Sequence, residues 1–543
     1  MKSLIKFIYC SVIAIAVVSC TDLEEQALDG VIPEGSGGSG ASADLLGLVG
    51  DVAALHNEWN RNLGVQEMPG DAMAGPTRGG DWDDNAALRQ IHAHTWAPDH
   101  PWIGATFNVL MTGIYNADLI LNDSSQSSDH HAAKLLKAYF YFHMMDKFGQ
   151  VPYRDSYDDM TLDAQVYTRA EAFAIAVSLA TDALSGLPEK ASGGADTPNK
   201  DAARMLLAKL HLNRAVFTGE AGATSFTHDA ADMTAVIDYV DAMTSTLSED
   251  VAGEQTGNGY WANFDKDNDG SNELIWALKV EPGASDSKGF TGYYWRMGMH
   301  YNQTPGGWNG PVMVGEYYDY FLENGVADGD DPRVTWSTPE IVDMTGNNVG
   351  VLRGQIYEPK KWQDVDDPTK CTTDDASGIL CYEGGVEKVE DRKGNMLIYT
   401  KDTPLVVLDP VAIESAGYRT IKYIPDDFDN ANADYAIYRM ADAMLMRAEA
   451  ALLGGSGGNA QADIDAVRAR VGLGSITANL DNVYAERARE LWWEGHRRTD
   501  MVRWGKFLSS KELKPAESDS KYLLFPIPAD ALINPNMNQN PGY

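Results

Sequence analysis

Residues 485–507 read "AERARELWWEGHRRTDMVRWGKF" and crowd Arg487, Arg489, Arg497, Arg498 and Arg503 among Glu486, Glu490, Glu494, His496 and Asp500, with Trp492, Trp493 and Trp504 between them. Carboxylates beside guanidinium and imidazole groups are the raw material of acid–base and oxyanion chemistry, so the stretch has the composition of an active site. Its spacing supports a different reading. On a helix, Glu494 and Arg498 lie four apart, while Arg487 and Glu490, and Asp500 and Arg503, lie three apart, so these charges can pair along one face. Leu491, Trp492 and Met501 can pack inward. Charges that already satisfy one another make a structural clasp fixing the last helices to the rest of the fold.

Other constellations carry chemistry more weakly. "FDKDNDGSNELIW" sets Asp265, Asp267, Asp269 and Gly270 in the spacing of a calcium loop. Position twelve is Trp276 instead of the bidentate Glu, which excludes a full EF-hand and leaves either a partial, structural Ca2+ site on the three Asp or an Asx-rich turn. Residues 454–458, "GGSGG", match G-x-S-x-G formally, but they lie between two helical patterns where a nucleophile elbow needs a preceding strand. His92, His94, His130 and His131 lack metal-ligand spacing and read as exposed or capping histidines. No catalytic residue is assigned.

The chain has 543 residues and a formal charge of −36. So acidic a surface disfavours nucleic acid and polyanionic glycans and suits neutral ligands. "MKSLIKFIYCSVIAIAVVSC" carries two lysines and an apolar run of signal-peptide length, too short to span a membrane. Residues 1–19 are therefore an export signal, and residues 20–41, rich in Gly and Ser, a flexible tether. Cys371 and Cys381 stand ten apart in "CTTDDASGILC"; an exported chain permits a disulfide there, with two unpaired thiols as the alternative.

The elements that must position any site fall into two textures. Helical patterns run through residues 42–246: 43–62, 102–121, 130–148, "TRAEAFAIAVSLATDALSGLP" with Thr168 and Glu171 in capping-box spacing, "TPNKDAARMLLAKLHLNRAVF" with Thr197 as N-cap and Pro198 at the first helical position, and 229–245. Residues 247–434 change to Gly, Pro, Asn, Asp and aromatics with short apolar runs. Helices resume in "DYAIYRMADAMLMRAEAALLGG", where Ile437, Met440, Met444 and Leu445 follow helical spacing, and continue from 460 to 471. The whole is a single domain over 42–543, a helical frame (42–246 and 435–543) interrupted by a loop-rich excursion.

Several segments resemble the SusD/RagB family of outer-membrane glycan-binding lipoproteins. The likeness is carried by Val17, Val18, Ser19 and Cys20 as a lipobox, by "YAIYRMADAMLMRAEA", by "ERARELWWEGHRRTDMVRWGKF", whose Trp492 and Trp493 are bulkier than the family's usual pair, and by "LLFPIPADALINPNMNQNPGY". The resemblance implies a mainly α fold: a right-handed, tetratricopeptide-like superhelix carrying its ligand site on a large, loop-rich, partly β insertion. It also implies lipidation at Cys20, a place on the outer-membrane surface helped by the acidic Asp22, Glu24 and Glu25, and a partner, a SusC-like TonB-dependent transporter to which glycan is delivered. Catalysis is not implied; a lipid-anchored glycan hydrolase and a structural adhesin are the competing classes.

Aromatic faces cover the apolar C–H side of a pyranose ring, and planar polar groups bind its hydroxyls. Two stretches offer both. "GDAMAGPTRGGDWDDN" presents Asp71, Arg78 and Trp82, on a loop that in the family contributes to the site. "GFTGYYWRMGMHYNQTPGGWNG" presents Tyr293, Tyr294, Trp295 and Trp308 among glycines. A neutral glucan, such as a β-glucan of laminarin type, is the expected ligand.

Overall fold

The computed structural model describes residues 44–155, 157, 161–191, 194–248, 258–280, 289–362, 371–374, 378–426 and 432–543. The leader, the lipobox at Cys20 and the tether lie outside them.

The frame is a succession of helices, each packed on the next. Helix α1 (Leu45–His56) lies on α2 (Pro101–Asn122), which packs on α3 (His130–Phe148), then α4 (Arg169–Gly186), α5 (Lys200–Thr218) and α6 (Ala230–Asp241). Helix α6 in turn packs on α7 (Met440–Leu452), which contacts α8 (Ala460–Ala469) and α9 (Leu480–Glu490). The tetratricopeptide-like stack thus closes across the excursion as though nearly two hundred residues had been inserted between neighbours. A single apolar cluster nonetheless runs from Leu48 in the first helix through Trp276, Trp295 and Ile421 of the excursion to Met537. The excursion is therefore built onto the frame's own core.

Local signals explain most boundaries. Helix α4 begins with a complete capping box, Thr168 and Glu171 each bonding the other's backbone N–H. Helix α5 differs from expectation: Asn199, not Thr197, is the N-cap, its Oδ1 accepting from the amide of Ala202. Asn199 also reaches across to the carbonyl of Ile275 at 3.1 Å, a tertiary bond that Thr197 could not supply. The first pattern splits into Leu45–His56 and Asn62–Glu67.

The segment 435–439 corrects a helical expectation. Tyr435–Arg439 is a strand, paired antiparallel with Leu274–Leu278 and buried on both faces. Its apolar residues fit either period over five positions, and the waiting partner strand decides. Elsewhere the excursion is made of short ribbons. Met73–Ala74 pairs with Val312–Met313, and Thr77–Arg78 runs parallel to Val406–Val407, so three distant loops converge. Strands Cys371–Asp374 and Gly378–Lys388 pair with Cys371 directly opposite Cys381, though both cysteine side chains lie outside the described residues.

The arginine-rich stretch is a clasp, but its pairing is not the expected one. The chain leaves α9 at Glu490, turns through positive φ at Trp493 and Gly495, and re-forms as α10 (Arg497–Arg503). Of the three expected pairs Asp500 and Arg503 form theirs, and Glu486 and Arg489 add a three-residue pair that was not expected. The turn carries Glu494 away from Arg498, while Arg487 and Glu490, both on α9, take partners on other elements, Asp442 and Asp500 for the first and Arg439 for the second. Arg439 alone contacts Glu273, Glu490 and Glu494, at 2.9, 2.5 and 2.7 Å. Arg333 of the excursion holds Asp331, Glu486 and Glu490; Arg497 holds Asp71; Arg498 holds Asp146; Arg503 holds Glu449. All but the partly buried Asp71 are buried, and Leu491, Trp492 and Met501 are packed inward as expected. Charges this deep survive only because each is matched and hydrogen-bonded. The three guanidinium neighbours of Glu486 accordingly overcome its burial and hold it down at about 2.

Candidate functional site

The loop after the Asn62–Glu67 helix delivers Trp82 to the surface. Arg78 and Asp81 exchange backbone hydrogen bonds of 2.9 and 3.0 Å around Gly79 and Gly80, and Trp82 follows with φ +60°, a left-handed conformation unusual for so bulky a residue. Three contacts hold it there. Its Nε1–H donates to the carbonyl of Trp308 at 2.8 Å, its ring meets the edge of Trp59 at 5.6 Å, and Trp59 meets the buried Trp102 at 4.9 Å. A Cβ at position 310 would stand 2.2 Å from the Trp82 ring, so Gly310 is what lets the two loops touch.

Tyr301 and Trp308 come from the same loop and remain 36% and 38% exposed. Arg392, on the tip of a turn, lies 4.2 Å above the centre of the Tyr301 ring and 3.6 Å from Asp81. Glu414 fixes that arginine from below, accepting from its Nε at 2.5 Å and from its amide at 2.9 Å. The other oxygen-side partner of Glu414 is His300 at 2.9 Å, while the amide of Asn302 donates to His300 Nδ1. Burial alone would raise the Glu414 carboxyl; the Arg392 amide, His300 and the guanidinium together hold it below its ordinary range. Burial and the neighbouring Asp81 carboxylate push the Tyr301 hydroxyl up, so it stays a hydrogen-bonding phenol. Asn302 completes the rim, its amide anchored on the carbonyl of Glu390 at 2.9 Å.

The expected site residues divide sharply. Trp82 and Trp308 are brought together on the surface. Asp71 and Arg78 are corrections: Asp71 is the bidentate partner of Arg497 at 2.6 and 2.7 Å, and Arg78 is buried, donating to the carbonyls of Ile413, Ala416 and Gly310. They tie loops together and offer nothing to a ligand. Tyr294 and Trp295 are corrections of another kind. The glycine-flanked segment forms a helix, Gly289–Arg296, that turns both rings into the core, where Tyr294 packs on Tyr423 and Trp295 is fully buried. Tyr293 lies on that helix, and its side chain is outside the described residues.

Tyr301, Asp81 and Arg392 were missed. Tyr301 stands in the same aromatic stretch, and a turn signal, "EDRKGN", surrounds Arg392, but nothing local says that the two meet. Asp265, Asp267 and Asp269 sit at a short turn around Asn268–Gly270, with Glu273 committed to Arg439 and Arg470. Among the described residues no group of three His, Cys, Asp or Glu is gathered as a cation would require. His92 and His94 are buried and bonded to backbone carbonyls, not exposed.

With this geometry in hand, comparison with known proteins is informative. Residues 412–543 match the SusD family. Starch-binding protein SusD of Bacteroides thetaiotaomicron is 24% identical over 492 residues, covering 85% of this chain and 82% of that protein. The chain is thus similar to SusD over most of its length. A laminarin-binding SusD-like protein superposes with a TM-score of 0.63 at 20% identity, over 92% of this chain and 98% of its own. A SusD-like protein from Bacteroides fragilis gives 0.63 at 17% identity, over 92% and 96%. The matched segment 412–543 contains the arginine-rich stretch and also Glu414, the residue that anchors Arg392. Among the described residues no helix is long and apolar enough to cross a membrane.

Proposed function

We propose that this SusD-like chain is a non-catalytic glycan-binding protein of the cell surface, tethered to the outer membrane through lipid on Cys20, which delivers neutral oligosaccharide to a SusC-like TonB-dependent transporter. The observation that carries the reading is the aromatic platform. Trp82, Tyr301 and Trp308 are half-buried or exposed, and polar groups of Asp81, Asn302 and Arg392 surround them. Rings on an open surface with planar hydrogen-bonding groups at their edges suit the two faces of a pyranose.

Charge favours a neutral ligand. Arg392 is the cation of the platform, and Glu414 and Asp81 already compensate it, on a chain of net charge −36. A sulfated or uronic-acid polymer would meet the repulsion of that net charge. A glucan is the preferred class, with laminarin-type β-glucan first because one similar structure is described as laminarin binding.

Affinity electrophoresis of the purified protein through gels containing laminarin, starch or a polyuronate tests the proposal, with reducing-end release measured in parallel. Retardation in a neutral glucan without release of ends is expected. Release of ends, or retardation by polyuronate alone, overturns it.

A further inference from the structure

A second cavity, of about 260 Å³, lies in the excursion away from the platform, between the end of the helix Pro339–Thr345 and the strands Val349–Leu352 and Tyr357–Trp362. Its floor is apolar, with Val351 and Ile356 buried. Its polar lining comprises Asn348, Arg353, Gln355 and Tyr357. Asn347 makes the wall rigid: its side chain donates to the carbonyl of Tyr357 at 2.6 Å and accepts from the Tyr357 amide at 3.0 Å, acting as a substitute strand.

Hydrogen-bonding capacity is left over. Gln355 spends its Nε2 on the carbonyls of Ile356 and Leu397, and its Oε1 has no partner among the described residues. The side-chain amide of Asn348 and the hydroxyl of Tyr357 are likewise uncommitted there. Arg353 is the charged residue of the lining, and it is already directed onto Asp328 at 2.9 Å and Thr335 at 3.1 Å. An electrically compensated pocket with an apolar floor and a rim of amide and phenol groups discriminates against anions and suits a polyhydroxylated neutral ring. The volume falls just under the roughly 300 Å³ at which pockets for drug-sized ligands begin, which fits one or two sugar units.

The pocket is joined to the platform by hydrogen bonds. Strand Gly354–Gln355 pairs with Ile398–Tyr399, and the Tyr399 hydroxyl donates to Oε1 of Gln303 at 2.7 Å, two residues from Tyr301. The geometry points to this pocket as a second saccharide subsite, taking a single neutral pyranose unit, as a chain end or side branch, separately from the aromatic platform. The inference rests on the reading of this chain as a neutral-glycan binder, and its test keeps the two apart.

Isothermal titration with laminarihexaose and maltohexaose, using the mature chain, its Asn348→Trp variant and its Trp82→Ala/Trp308→Ala variant, makes the test. Asn348 is exposed, so a tryptophan there fills the pocket without disturbing the core; thermal unfolding of each variant checks this. Two binding events are expected in the wild type, one weakened at least about tenfold by Asn348→Trp and the other by the double variant. If Asn348→Trp leaves every event intact, the pocket is not a subsite, whatever the platform does. If only Asn348→Trp removes binding, the pocket stands and the platform is wrong. If no neutral hexasaccharide binds, both are overturned.

Discussion

The indole N–H of Trp82 donates to the backbone carbonyl of Trp308 at 2.8 Å across 226 residues of sequence, locking two aromatic loops into one surface. Because the Trp82 side chain both forms part of the surface and holds the backbone at Trp308, the contributions of the two rings to binding are coupled. Trp82→Ala and Trp308→Ala should each weaken binding of the neutral glucan by about tenfold or more, the size expected for truncating an aromatic anchor. The double variant should lose less than the product of the two, since Trp82→Ala already releases the Trp308 loop. Titration of all four forms supplies the cycle; full additivity contradicts the coupling.

Arg392 is a positioning residue for Tyr301. Its guanidinium is nearly half exposed, which weakens its pair with the exposed Asp81, and the buried Glu414 keeps His300 and the Arg392 amide as partners, so the side chain contributes little to stability. Arg392→Ala should therefore leave the unfolding midpoint within a degree or two, yet weaken glucan binding about three- to tenfold by letting the ring swing. An unchanged affinity at unchanged stability means that the Tyr301 ring is held by something else.

What could be read from the sequence follows from the range of the forces involved. Capping at Thr168 is local and was legible; so were the helical frame and the inward packing of Leu491 and Met501. Arg503 and Asp500 pair as their three-residue spacing suggests, whereas Arg487 and Glu490, at the same spacing on one helix, take partners from other elements. Glu494 does not pair with Arg498, because the turn at Trp493 and Gly495 hands it to Lys422 and Arg439 from distant elements. The site divides along the same line. The expectation that aromatics in glycine-rich loops stay accessible holds for Trp82 and Trp308, where the loops stay open, and fails for Trp295, where the segment closes into a helix against the core. The meeting of Arg392 with Tyr301 depends on Glu414 and has no local signature.

The clasp should behave as structure. Arg503 makes a bidentate pair with Glu449 and also donates to Asp500 and Asn213, all buried. Replacing it by Met leaves the Glu449 carboxylate without its ion-pair partner, while Asp500 keeps Arg487, a loss of about 3–5 kcal/mol for a buried pair. Denaturant unfolding should show this loss for Arg503→Met and a comparable one for Arg439→Met, while the protein that remains folded keeps the wild-type preference among glucans. A changed glycan preference at unchanged stability contradicts the clasp.

Glu67 offers a pH test of how the clasp turn is seated. Its Oε1 accepts from the amides of Gly495 and His496 at 2.7 and 3.0 Å, but its Oε2 has no partner in the core. Burial pushes this carboxyl up to about 7, against the opposing pull of those amides and of Arg497. Since the folded state holds the proton more tightly than the unfolded chain, the contribution to stability is fully present below about pH 4.5 and is lost as pH rises through 7. Lys147, lowered to about 7 by burial, titrates over part of the same range with the opposite slope, but it does so in wild type and variant alike. The difference between wild type and Glu67→Gln therefore isolates the carboxyl. Between pH 5 and pH 8 the wild type should lose stability relative to Glu67→Gln by on the order of 1–3 kcal/mol. Parallel stability profiles for the two proteins over that range would mean that Glu67 is already ionised at pH 5, and that the Gly495 and His496 amides outweigh its burial.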